Sequence, residues 1–317
     1  MRLFSALLLL FLSTPALAAE VAGSWKMTAE GHIALLLNVS RDAGDRLSAT
    51  LLRPEGMEIN NGTSIANVSA KASSRTLSGR STKPGRAMLQ LDPAKAGEDK
   101  INFLLQALDD GHAELVIEFA GQSARPIALQ RAKPGEALYA GWEDHPYTID
   151  SRWPDNPEMM AIFDADQAAR KSPKIDWKTV SVEDSKRRAR TAELVAQGRL
   201  RSASDFYAAA FIFQHGDQAS DFLLAHTFAV IAASRGDPGA PWIAAATLDR
   251  YLQKIGQPQV YGTQYFTPSN EPVTQEPYNR LLVSDALRAE LGVPPIAAQE
   301  EQRKTMQPSH DAAAKKP

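Results

Sequence analysis

Four short segments of the chain carry the side chains best suited to chemistry. In "FDADQAAR", Asp166, Gln167 and Arg170 continue the stripe Met159, Met160 and Phe163 by helical steps, so a face that begins apolar ends polar. Asp166 and Arg170 stand at i,i+4 and can pair; as a solvated helix-end bridge the pair contributes about a few tenths of a kcal/mol. "FIFQHG" ends an apolar helix on Gln214 and His215. An imidazole there is held protonated by the helix dipole or satisfies the last carbonyls. In "ATLDRYL", Asp249 lies four residues after Ala245 and three before Leu252, at the border of a buried face, and Arg250 sits about 100° further round. A buried acid of this kind needs a cationic or amide partner. In "QVYGTQYF", Gln259, Thr263 and Gln264 offer donors and acceptors, Tyr261 adds a hydroxyl, and Gly262 allows a conformation that other residues avoid.

Three functions fit these residues. A pocket lined by Asp166, Arg170, His215, Asp249, Gln259, Tyr261 and Gln264 would bind a small polar ligand or a peptide or glycan segment. A metal-independent hydrolase or transferase without a covalent nucleophile would use His215 or Asp249 as general base, with Arg170 or Arg250 stabilising developing negative charge. A purely structural polar network would knit helices together and bind nothing. His226, on the stripe Phe222, Val230 and Ala233, is expected to be a hydrogen-bonded core residue.

The order Asp166-Gln167-x-x-Arg170, Gln214-His215, Asp249-Arg250-x-Leu252, then Gln259-x-Tyr261-Gly262-Thr263-Gln264 resembles an uncharacterised bacterial family, catalogued as domain of unknown function 6624. The resemblance covers about residues 157–295, and its last motif is the most specific. It implies that these polar residues converge, and it implies no particular activity, cofactor or substrate. The chain departs from the family pattern at "QGRLRSA", residues 197–203, where Gly-Trp-Pro is expected.

Other chemistries lack their residues. The chain has no cysteine, so it carries no thiolate nucleophile, no disulfide and no Cys-ligated metal. Its histidines are scattered at 32, 112, 145, 215, 226 and 310, without the spacing of a zinc site. No Gly-x-Ser-x-Gly, phosphate-loop or dinucleotide fingerprint occurs, so no cofactor is expected. A net charge of −2 recruits neither nucleic acid nor anionic lipid. The basic run Lys186-Arg187-Arg188-Ala189-Arg190 reads as a solvated helix face. The sequence does not indicate an oligomeric state.

Two kinds of element must position these residues, which makes the expected fold class α+β. "MRLFSALLLLFLSTPALAAE" has the positive, apolar and small-residue order of a signal peptide over residues 1–18. A periplasmic or secreted protein without a transmembrane anchor is therefore expected. Residues 19–131 alternate with period two between turn signals, which predicts an antiparallel barrel or sandwich. Strands are expected at "GSWKMT", "IALLLNV", "RLSATLL", "SIANVSA", "AMLQLD", "INFLLQAL", "AELVIEF" and "PIALQRA". Gly23-Ser24-Trp25 resembles the opening of lipocalin-like barrels, where a Trp closes the base. Residues 132–156 read as an aromatic-rich, packed linker. Residues 157–295 read as a mainly helical domain, its two "ASDF" helices capped by their Ser, and residues 296–317 as a disordered tail.

Overall fold

The computed structural model describes residues 19–314 apart from 45, 61, 92–99, 172–173 and 269–270, with side chains described up to residue 306. The expected signal peptide lies outside the described residues. The chain divides into two compact units, Met1–Arg152 and Trp153–Pro317.

The first unit is a closed β-barrel. Its described strands are β1 (Gly23–Ala29), β2 (His32–Arg41), β3 (Arg46–Pro54), β4 (Glu58–Asn60), β5 (Ser64–Ala66), β6 (Ala72–Lys83), β7 (Arg86–Leu91), β8 (Ile101–Ala107), β9 (His112–Phe119), β10 (Gln122–Ser123), β11 (Ile127–Arg131) and β12 (Tyr147–Thr148). The antiparallel order β9-β11-β1-β2-β3-β6-β7-β8 closes where β8 pairs β9, with Leu105 opposite Leu115. Alternate side chains point inward, so Trp25, Met27, Leu37, Leu77, Leu89, Leu105, Leu115 and Leu129 fill the interior. Trp25 closes one end: its Nε1 donates to the Val21 carbonyl at 2.9 Å, and the Arg131 guanidinium lies 3.7 Å over its ring. Gly23, at φ +117°, leaves the room that Arg131 takes, because a Cβ there would meet its Nη1 at 2.5 Å.

Two expectations for this unit need correction. "SIANVSA" supplies only β5, which pairs β4 and β12 in a separate three-stranded sheet. The missing barrel strand is β6, "ASSRTLSGRSTK", which pairs β3 from Arg46↔Arg80 to Pro54↔Ala72 and buries only Leu77. The expected linker also belongs mostly to the barrel unit: Trp142, Tyr147 and Ile149 join its core, and Tyr139 stacks on His32 at 3.8 Å.

The second unit is helical: α1 (Pro157–Arg170), α2 (Trp177–Ala196), α3 (Ala203–Gln214), α4 (Ala219–Ser234), α5 (Ala240–Lys254), α6 (Asp285–Glu290) and α7 (Ile296–Ala314). Asn156 caps α1 and Asp176 caps α2. In α3 and α4 the Ser of "ASDF" is inside the helix. Ser202 caps α3 and Gln218 begins α4, while Asp205 and Asp221 complete capping boxes from N3. The core joins Met159, Leu194, Ile212, Phe213, Phe228 and Ile243 with the Ala-rich faces of α3, α4 and α5. On α4 the buried stripe runs through Phe222, Ala225, Phe228, Ala229 and Ala232, so Val230 faces outward. The expected disordered tail is helical over Ile296–Ala314, and Gln299 is fully buried. No helix among the described residues is long and apolar enough to cross a membrane.

Candidate functional site

The residues singled out from sequence fall into two groups. The first joins the C-terminal ends of α1 and α3. Asp166 is 1% exposed. Its Oδ1 accepts from Arg170 Nη1 at 2.7 Å and lies 3.2 Å from His215 Nδ1, and its Oδ2 accepts from Gln167 Nε2 at 3.0 Å. Two residues of α2 complete the cluster. Arg170 Nη2 donates to Asp184 Oδ2 at 2.7 Å, and Arg187 Nη1 donates to Asp184 Oδ1 at 2.8 Å and stands 3.9 Å from Asp166 Oδ1. Burial alone would raise the Asp166 carboxyl. The hydrogen bond from His215, and then the His215, Arg170 and Arg187 charges, outweigh burial and hold it below its usual range. With Asp166 ionised, His215 Nδ1 must be the donor, so in the neutral ring Nε2 is a free acceptor. Nε2 has no partner among the described residues, and the side chain is 17% exposed.

The basic run on α2 is a solvated face only in part, at Lys186 and Ala189. Arg187 turns to Asp184, Arg188 donates to the His215 carbonyl at 2.8 Å, and Arg190 donates to Glu158 at 2.6 Å. Asp166, Asp184 and His215 place ligand atoms within 4.8 Å of one another, close enough for a cation. Arg170 already bridges both carboxylates, so a metal ion would have to displace it and would then face Arg187.

The second group is a knot at the end of α5. Asp249, fully buried, accepts from the backbone N–H of Val260 (2.8 Å), Tyr261 (3.1 Å) and Thr263 (3.0 Å) and from the Thr263 hydroxyl at 2.8 Å. Those four donors use up the acceptor capacity of its carboxylate, so Asp249 has no lone pair left for a substrate proton. Gln259 is also fully buried. Its Oε1 accepts from Gln264 N at 3.0 Å, and its Nε2 donates to the carbonyls of Gln264 and Gln275. Gln264 Nε2 reaches the Ala246 carbonyl at 3.2 Å. The Tyr261 carbonyl takes bonds from Tyr278 Oη, Gln299 Nε2 and Arg288 Nε. Gly262, at φ +82°, makes this possible: a Cβ there would stand 2.0 Å from Gln299 Oε1 and 2.5 Å from Tyr278 Oη. The Gln259 amide is turned inward and matched on both its atoms, and the Gln264 amide donates inward.

The structure thus brings Asp166, Gln167, Arg170 and His215 together, and separately Asp249, Gln259, Tyr261, Gly262, Thr263 and Gln264. No hydrogen bond among the described residues joins the two groups, nor does one tie the buried Gln214 side chain to either. The four segments thus form two hydrogen-bonded groups rather than one. Helix α5 borders both: Asp249 belongs to the knot, while burial and then the Arg170 charge hold the Arg250 guanidinium below its usual value. His226, half-buried, meets the Ala244 carbonyl at 2.9 Å, as a core histidine does.

Sequence reasoning missed Asp184 and Arg187, whose signal was the i,i+3 acid–base spacing inside α2. It also missed Gln275, Tyr278, Arg288 and Gln299, which carry no local pattern. Asp205 was passed over too. Fully buried, it accepts from the backbone N–H of Asn156 (2.7 Å), Arg201 (2.8 Å) and Ser202 (3.0 Å), tying the starts of α1 and α3 together. The departing segment 197–203 is part of that tie, with Leu200 buried and Ser202 as cap. No family model, curated protein or solved structure matches this chain.

Proposed function

We propose that the helical unit binds a small polar ligand or a partner peptide or glycan segment beside the Asp166–His215 pair. The observation that carries this reading is the His215 ring. Its Nδ1 is anchored on a buried carboxylate, and its Nε2 has no partner among the described residues in a partly exposed setting. A side chain held this firmly, with one polar edge unused, is preorganised for a ligand. Asp249 and Gln259, whose side-chain hydrogen bonds are filled, serve instead as the scaffold that fixes α5.

A thermal-shift screen of glycan fragments, short peptides and nucleotides tests this reading. At least one class should raise the melting temperature of the wild type, and His215→Ala should reduce that rise. A screen with no rise at millimolar concentration refutes the reading.

The same pair favours a second reading, a hydrolase or transferase with His215 as general base, Asp166 orienting its ring, and Arg170 beside it. Asp249 has no part in that version. Turnover that disappears in His215→Gln while the fold survives would select it.

Two broader proposals accompany these. The protein is exported, supported by the residue order of positions 1–18. Residues 157–295 belong with the uncharacterised bacterial family they resemble, supported by the order of the four polar segments.

A further inference from the structure

Helix α5 carries two donors without acceptors. Arg250 Nε and Gln253 Nε2 are sealed from solvent and have no hydrogen-bond partner among the described residues. They stand three residues apart, so they share one stripe of the helix. Buried N–H groups are nearly always paired, and two orphans on one stripe call for a shared acceptor. Charge points the same way. Asp166 and Asp184 offset Arg170 and Arg187 through direct bonds, but Arg250 has no ion pair among the described residues. The Arg170 charge, moreover, opposes that of Arg250. An uncompensated, largely desolvated cation is costly to an empty protein.

We propose that Arg250 and Gln253 seat a carboxylate, the anionic end of the polar ligand assigned above to the Asp166–His215 region, and the proposal rests on that reading. The Nε edge of a guanidinium presents two parallel N–H bonds, a match for the two oxygens of a carboxylate. The Gln253 amide supplies a third donor. A carboxylate brings Arg250 the ion pair that it lacks among the described residues, whereas a neutral sugar leaves the guanidinium without one. The residue is half-buried, so the ligand meets the guanidinium from its outer end, and pairing at the sealed Nε requires the side chain to rotate.

The test uses the full chain with N-acetylglycine, its neutral relative N-acetylglycinamide, and inorganic phosphate, each at roughly 10 mM and low salt. N-acetylglycine should raise the wild-type melting temperature by about 2 °C or more, and the amide should not. Arg250→Met should abolish the rise, and Gln253→Leu should weaken carboxylate affinity by about fivefold or more. Arg250→Lys, which keeps the charge and loses the fork, should fall between wild type and Arg250→Met. Equal shifts from the acid and the amide, a larger shift from phosphate, no shift from the acid, or an acid shift retained in Arg250→Met each overturns the assignment. If neutral fragments still bind in a His215-dependent way, only the carboxylate is lost and the pocket reading stands. If nothing polar binds, both fall.

Discussion

Asp249 and Arg250 are chain neighbours with opposite fates. Asp249 faces the 257–278 loop, where each of its acceptor sites is filled by a backbone or hydroxyl donor. Arg250, a step round the helix, keeps a buried nitrogen with no partner among the described residues. The knot is richer in amides and looked more like a binding wall; the cluster near α1 and α3 looked like an ordinary helix-end salt bridge. What separates them is the count of unmatched atoms, not polarity. A network that satisfies itself is scaffold. The unmatched donors on Arg250 and Gln253, and the unmatched acceptor on His215, have capacity for something else.

The contrast can be broken by substitution and by pH. The largest effect belongs to the knot. Gly262→Ala places a methyl on Gln299 and Tyr278 at a positive φ, and should cost about 4 kcal/mol or more in chemical denaturation, with the barrel unit unaffected. A loss under roughly 1 kcal/mol would mean that the loop adapts and is not a scaffold. Asp166→Asn leaves Arg170 and Arg187 sharing one carboxylate, and should cost about 2–3 kcal/mol after allowing for the partial exposure of both arginines.

The two regions should also titrate apart. The Asp166 carboxyl is held below its ordinary 3.8, so its contribution is intact above that pH and fades as pH falls through the lower folded value. Burial, with Tyr278 and Glu300 nearby, pushes the Tyr265 hydroxyl up to about 12 from 10.0, so its contribution is intact below pH 10 and fades between there and 12. Melting curves should show Asp166→Asn flattening the acid limb alone and Tyr265→Phe the alkaline limb alone. A mutation that flattens both limbs would mean one continuous network.

How much of this was readable in the sequence follows from where each partner lies. Strands with one apolar face announced themselves; β6 did not, because eleven of its twelve residues are outside the core and only Leu77 marks the inward face. Pairs at helical spacing, such as Asp166 and Arg170, were visible. The bond between Asp166 and His215 spans 49 residues, and only the helix packing brings it about. Gln299 reaches Tyr261 across 38 residues, from a stretch whose composition suggested disorder. Composition could not reveal that one buried glutamine ties that helix down. Nor could the polarity of "QVYGTQYF" say whether its amides turn inward or outward, since that depends on Gly262 and on acceptors far along the chain.

Paired thermal melts of Asp249→Asn and Arg250→Met, without ligand, test the central claim most directly. Asp249→Asn should lose roughly 3 kcal/mol, about 6–12 °C for a unit of this size, because an amide cannot accept from all four donors. Arg250→Met should melt at or about 2 °C above the wild type, since it removes a half-buried charge that has no ion pair among the described residues. A fall of similar size in both variants would make Arg250 scaffold like its neighbour and contradict the account.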